Sequence, residues 1–377
     1  MRLLLHAARA VDADGVRADA WLLIEGDRII ATGQGPELPE TDERVDLGGA
    51  TLMPGFIDLH GHGAGGASYD EGAEGIRRAL AVHRAHGTTR SVLSLVAAPL
   101  ERLELSLAQV AEAAASDPLV LGSHLEGPFL ARERRGAHDA GALIEPTPER
   151  IAALYEAAGG TLRQITIAPE LPHALDAIEA FAAAGVRVAV GHTAADRWIA
   201  AEAFRRGATL LTHAFNAMPG LHHRDPGPIG AAIDDERVRL ELILDGRHVD
   251  ATMARLLFRA APGRVALITD SMAATGAADG VYSLGSREVH VHEGTAHLAG
   301  TSTLAGSVLA QDEALRIALA IGIDEVAAVA ALTSVPAAAL GLDAELGRLA
   351  PGYAADAVQL DERTRVRAVW AAGRRVV

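Results

Sequence analysis

A chain of 377 residues, 49% hydrophobic and 22% charged, can bury a barrel-sized core plus a small partner domain, which excludes a minimal module or a disordered chain. It holds no cysteine, so disulfides, thiolate nucleophiles and sulfur-ligated zinc are ruled out, and a metal would have to sit on histidines and carboxylates. The formal charge of −15 argues against nucleic acid or an anionic membrane as partner, and an anionic ligand would need a local basic pocket or a metal.

Taken in chain order, the opening MRLLLHAARAVDADG lacks the long apolar region and cleavage site of a signal peptide, and no later apolar run approaches the ~20 residues of a membrane span, so a cytoplasmic protein is expected. Residues 1–53 fall into short alternating units punctuated by Gly and Asp, the pattern of antiparallel β structure. Residues 346–377 have the same texture. Both chain ends are therefore expected to build one small β-sandwich domain, leaving 54–345 as the second domain.

Within that middle region, eight short apolar runs stand out at 55–60, 88–96, 119–126, 163–169, 186–192, 209–215, 238–245 and 264–270. Ala-rich segments with helical spacing separate several of them, for example EGIRRALAVHRAHG and HALDAIEAFAAAG, and several end in the glycine that stops a helix. Strand alternating with helix eight times predicts an α/β fold, a (β/α)8 barrel of the TIM type.

Five of the runs end on a polar, metal-capable residue: His60, Glu126, His192, His213 and Asp270. In such a barrel the C-terminal strand ends converge on one mouth, where active sites are built. Folding alone would fill that layer with apolar groups, because an unpaired buried polar group costs ~1–3 kcal/mol. His60 and His62, two apart on an extended segment, share a face and can reach one ion. Glu126, His192 and His213 supply three protein ligands with a position left open, the arrangement of a catalytic zinc. Glu126 could join the two groups by bridging two ions. Asp270 is the candidate to accept a proton from the attacking water and return it to the leaving group. The chemistry implied is hydrolysis at an amide, ester or similarly activated centre.

The segments PGFIDLHGHG (54–63), HLEGPFL (124–130), GAHD (136–139), GHTAADRW (191–198), THAFNAMPGLHHRDPG (212–227), LDGRHVD (244–250) and LITDSMAATG (267–276) resemble those of the amidohydrolase superfamily, and within it the N-acetylglucosamine-6-phosphate deacetylases. The resemblance runs over essentially the whole chain. It implies that Glu126, His192 and His213 hold the metal found throughout the family, that His60 and His62 hold the second ion of its two-metal members, and that Asp270 is the acid/base. It further implies that Asn216, Ala217, His138 and His248 contact the substrate. Arg224 would reach the phosphate from a neighbouring subunit, making the protein a dimer or tetramer.

The reading is thus a metal-dependent amidohydrolase that converts N-acetylglucosamine 6-phosphate to glucosamine 6-phosphate and acetate with a metal-activated water. One or two divalent ions per subunit are expected: zinc first, with iron(II), manganese or cobalt compatible with the same N/O donors. The alternatives are a deacetylase for the galactosamine epimer, a cyclic amidase, or a sugar-phosphate sensor or scaffold without catalysis. Cyclic amidases usually bridge their metals with a lysine, and this chain has no lysine. Among the remaining histidines, His124 is expected to support the metal residues, while His83, His86, His290, His292 and His297 are expected at ordinary surface positions. The glycine-rich GHGAGG lacks the Lys-Ser/Thr of a phosphate-cradling loop and is expected to be a flexible turn at the site.

Overall fold

The computed structural model describes residues 1–377. The chain divides into two compact units: Met1–Asp58 with His83–Arg90 and Gln311–Val377, and Leu59–Val82 with Ser91–Ala310.

In the first unit both chain ends meet in one eight-stranded sheet. Its order is Arg374–Arg375, Val366–Ala371, Ala357–Leu360, Thr51–Pro54, Arg2–Asp12, Gly15–Glu25 and Arg28–Gln34, with Glu43–Asp46 also paired to Arg2–Asp12. Thr51–Pro54 pairs antiparallel with Ala357–Leu360, which stitches the N-terminal segment to the C-terminal one. The alternation legible in the sequence sets the register: Leu3 faces Ile24 and Leu5 faces Leu22. These side chains, with Leu52 and Trp370, form the sheet's buried face. The sheet is mixed rather than wholly antiparallel, because Arg2–Asp12 runs parallel to both Glu43–Asp46 and Thr51–Pro54.

A second eight-stranded sheet carries the predicted barrel strands in sequence order: Phe56–Asp58, Thr88–Val96, Val120–Glu126, Leu162–Ile167, Arg187–Val190, Ala208–Leu211, Arg239–Ile243 and Val265–Ile268. Those of its pairings with a resolved register are parallel. Strands such as Val265–Ile268 are buried along their whole length, as expected where both faces are covered. The ring closes at its mouth: the Asp270 amide donates to the His60 carbonyl at 2.8 Å, and Gly61 bridges in parallel to Ser271.

Local signals set the helix ends. The Asp196 carboxylate caps Arg197–Arg205 by accepting from the Trp198 and Ile199 amides, and Asp250 caps Ala251–Ala260. Gly159, Gly185 and Gly207 follow helices with positive φ. Between the last barrel strand and Gln311 lies a three-stranded antiparallel sheet, Gly280–Leu284, Arg287–His292 and Thr295–Leu298. It packs Leu284, Val289 and Val291 against Met272.

Candidate active site

The barrel strands deliver their polar residues to one end. Glu126 is the last residue of its strand, and His60, His192, His213 and Asp270 each lie two residues beyond theirs. All five are buried, as is His62. His60, His62, Glu126 and Asp270 each offer a ligand atom within 4.8 Å of the others, and Glu126, His192 and His213 do the same. Glu126 belongs to both groups: Oε1 lies 3.0 Å from His192 Nε2 and from His213 Nε2, and Oε2 lies 3.2 Å from His62 Nε2.

Hydrogen bonds on the far side of three rings fix which nitrogen faces inward, while His213 Nδ1 has no hydrogen-bond partner. His192 Nδ1 lies 2.9 Å from the Arg134 carbonyl, His62 Nδ1 lies 3.3 Å from the Ser94 carbonyl, and His60 Nδ1 lies 3.1 Å from Glu241 Oε2. These partners are acceptors, so each Nδ1 carries a proton and each ring turns Nε2 inward as the atom available to a metal. The Nε2 atoms of His192 and His213 are only 3.0 Å apart beside a carboxylate oxygen. Two imidazole nitrogens and a carboxylate oxygen converge there, buried and within reach of one ion. Ligands on a tetrahedral ion with bonds of roughly 2.0–2.2 Å stand about 3.3 Å apart, so this donor set fits a divalent metal.

Electrostatics agree. Burial disfavours the Glu126 carboxylate, yet the imidazoles gathered around it, His60 and His138 first, hold its pKa well below the usual range. Burial likewise opposes the charge on Asp270, and His60 and His62 keep it ionised below its ordinary value. Burial acts against protonation of His62, but Asp270 and Glu126 outweigh it and raise its pKa to about 9.

His138 is oriented the other way. Its Nδ1 accepts the Ala97 amide at 3.2 Å, so Nε2 carries the proton and points toward Glu126 Oε2 at 3.3 Å. Burial drives its pKa down to about 4, which keeps the ring neutral and a hydrogen-bond donor. His248 Nδ1 donates to Asp245 at 2.7 Å. Burial lowers the pKa of His248, and that carboxylate more than reverses it.

These groups open onto a cavity of about 610 Å³, bordered by the loop Arg132–His138 on one side and by Ser302, Thr303 and Leu304 on another. Asn216 and Ala217 line it; the Asn216 side-chain amide donates to the His213 and Ala214 carbonyls. Arg224 is exposed and is not among the lining residues. The sequence-predicted set is therefore brought together in one chain except for Arg224.

Several expectations need correction. His83 is buried, because it continues the inward stripe of Ile76, Ala79 and Leu80 at helical spacing. The GHGAGG segment is an ordered hairpin rather than a flexible turn. Gly63–Ala64 pairs with Ala67–Ser68, and the Gly65 and Gly66 amides donate to Thr275 and Ala273. A Cβ on Gly63 would stand 2.2 Å from the Ala67 carbonyl oxygen, so the glycine serves this close approach. Glu241 was not singled out from the sequence, although one carboxylate inside the apolar strand RLELI is the signal that could have found it.

The amidohydrolase family pattern matches residues 51–376. The chain belongs to the amidohydrolase family. This amidohydrolase is 38% identical over 374 residues to an N-acetylglucosamine-6-phosphate deacetylase of Bos taurus, covering 95% of this chain and 91% of that one. It is 36% identical over 378 residues to an N-acetylgalactosamine-6-phosphate deacetylase of Escherichia coli O157:H7, covering 99% of each. Among solved structures, an N-acetyl-D-glucosamine-6-phosphate deacetylase variant of Mycobacterium smegmatis, in complex with N-acetyl-D-glucosamine-6-phosphate, superposes with a TM-score of 0.96. It shares 41% identity and covers 100% of this chain and 99% of its own. The amidohydrolase described here is a metal-dependent hydrolase on a barrel with a small β-domain.

Proposed function

We propose that this amidohydrolase removes the acetyl group of N-acetylglucosamine 6-phosphate, releasing glucosamine 6-phosphate and acetate. The observation that carries the reading is the pairing of Glu126, shared between two histidine pairs, with an ionised Asp270 at the same cavity. Glu126, His192 and His213 would hold one divalent ion, with zinc the first candidate, and His60 and His62 would hold a second. A bound ion would polarise the acetyl carbonyl and lower the pKa of water toward ~7. Asp270 takes the proton from the attacking water and delivers it to the leaving nitrogen. His138, a neutral donor through Nε2, steadies the carbonyl oxygen as it gains charge.

Asn216, Ala217 and His248 would contact the sugar phosphate, and Arg224 would reach the phosphate of a neighbouring subunit's substrate in a dimer or tetramer. Arg suits a phosphate because its planar fork donates two parallel hydrogen bonds. The catalytic unit in this reading is 54–345, with 1–53 and 346–377 as the small β-domain. A phosphorylated sugar does not cross membranes unaided, so an enzyme for it belongs in the cytoplasm.

The galactosamine epimer is a second reading, favoured by the 36% identical relative named for that substrate. Steady-state assays of the purified protein with both epimers, before and after chelation, test the proposal. Higher kcat/KM for the gluco compound, lost with the metal and restored on its return, is expected. Preference for the galacto compound assigns the second reading, and turnover of both at the chelated rate overturns the deacetylase.

A further inference from the structure

Glu241 sits in the barrel strand Arg239–Ile243 with no exposed surface. A carboxylate there is costly without partners, and an apolar side chain of similar size would serve the core better. It has partners, and they converge. Gln164 Nε2 donates at 2.6 Å, His60 Nδ1 at 3.1 Å and the His213 amide at 3.4 Å. Gln164 turns its amide hydrogens to Glu241 even though its own Oε1 is left buried without a hydrogen-bond partner. An arrangement that sacrifices one acceptor to hold a charge beneath His60 is not what core packing alone would select.

The outer partners of the other inward-facing rings are neutral. His62 leans on the Ser94 carbonyl and His192 on the Arg134 carbonyl. Of the four candidate metal rings, His60 alone has a carboxylate behind it. On the inner side its Nε2 faces Glu126 Oε1 at 3.3 Å and Asp270 Oδ1 at 3.5 Å, while the ring stands edge-on to His124 with centroids 4.6 Å apart.

We propose that Glu241 is a positioning residue that makes the His60/His62 side of the cluster a genuine second metal site, by locking the His60 ring with its Nε2 inward and by placing a compensating negative charge behind it. The inference rests on the reading that these histidines hold ions. It concerns occupancy: with Glu241 in place the chain carries two ions, and without it the Glu126, His192 and His213 ion remains.

The test is titration of the metal-stripped full chain with zinc against a chelating indicator, alongside the absorption spectrum of the cobalt-loaded protein. Wild type is expected to take up two zinc ions per chain. Glu241→Ala should weaken one of them by about 10–100-fold, the usual effect of removing such a partner, and leave the other unchanged. Glu241→Gln keeps the shape and an oxygen acceptor for His60 but removes the charge. Its weaker ion should fall between wild type and Glu241→Ala, with a cobalt spectrum closer to wild type. Because the Gln variant is isosteric, it keeps the inference testable if the Ala variant does not fold. A wild type that binds no ion overturns the functional reading itself. A wild type that binds only one ion, or folded Glu241 variants that match its two affinities and its cobalt spectrum, overturns this inference alone.

Discussion

Four residues at the cavity hold backbone angles that side chains other than glycine rarely adopt: Ala217 at φ 52°, and His192, His213 and Asp270 at φ 46°, 23° and 46°. Each such conformation costs of order 1–3 kcal/mol, tolerated where the surrounding structure holds it. At His192, His213 and Asp270 it occurs two residues past a strand end, where the side chain joins the cluster. Gly191 shows how tightly that corner is drawn, since a Cβ there would lie 2.5 Å from Thr212 Cβ. Asp270 is fixed by its amide on His60 and by the nearby His62 ring, 3.2 Å from Oδ1. Asp270→Asn keeps this geometry but removes the proton acceptor. It should lower kcat by about 10²–10⁴-fold with the metal content of the purified protein unchanged; a variant with both wild-type turnover and metal content would exclude the acid/base role. At this scale the sequence was legible wherever chemistry broke an apolar pattern, as at His60, Glu126, His192, His213 and Asp270. It was not legible for Glu241, because the importance of one carboxylate depends on Gln164 and His60 arriving from other strands. Nor could it give the ring tautomers, which depend on carbonyls such as Arg134 and Ser94 that no side-chain pattern encodes.

Among the elements, all eight barrel strands fall within the apolar runs read from the sequence or overrun them by one residue, because β-branched and aliphatic runs bounded by glycine are a local signal. What was hidden is pairing between distant segments. The parallel partnership of Arg2–Asp12 with Glu43–Asp46 and Thr51–Pro54 depends on how the intervening loops return, which alternation does not specify. A similar long-range contact joins His86 to the helix Gln311–Ala320. Asp312 is buried there, 2.9 Å from His86 Nδ1 and 2.6 Å from Arg316. Burial raises the pKa of Asp312, but hydrogen bonds from His86 and Arg316 leave it below its ordinary value. The hydrogen bond to Asp312 in turn raises that of His86, against burial. A depressed carboxylate contributes stability that is present above its unfolded pKa and is lost as pH falls through the folded one. A raised histidine contributes stability that is present below its unfolded pKa and is lost as pH rises through the folded one. The pair is thus fully effective between roughly pH 4 and 6.5, the two unfolded values. Asp312→Asn should lower thermal stability by about 1 kcal/mol in that window and by less on either side, read as melting temperature against pH. A pH-independent loss would mean that packing rather than charge holds the contact.

For the molecule as a whole, a charge of −15 is unfavourable for drawing in an anionic sugar. The rim loop counters it locally, with Arg132, Arg134 and Arg135 bordering the cavity. Attraction of that kind is screened by salt. Raising ionic strength should therefore reduce kcat/KM several-fold for the phosphorylated sugar and leave the unphosphorylated one nearly unchanged; equal responses would show that the rim exerts no steering. No helix of the protein is long and apolar enough to cross a membrane. The ring's closure has a temporal consequence. During synthesis the histidines at 60 and 62 emerge first and the aspartate at 270 comes more than half a chain later, its amide being what seals residue 60 to the far edge of the barrel. A fragment ending before residue 270 lacks both that sealing amide and the proposed proton acceptor. Ring closure and the proposed proton acceptor thus arrive on the same residue, late in synthesis.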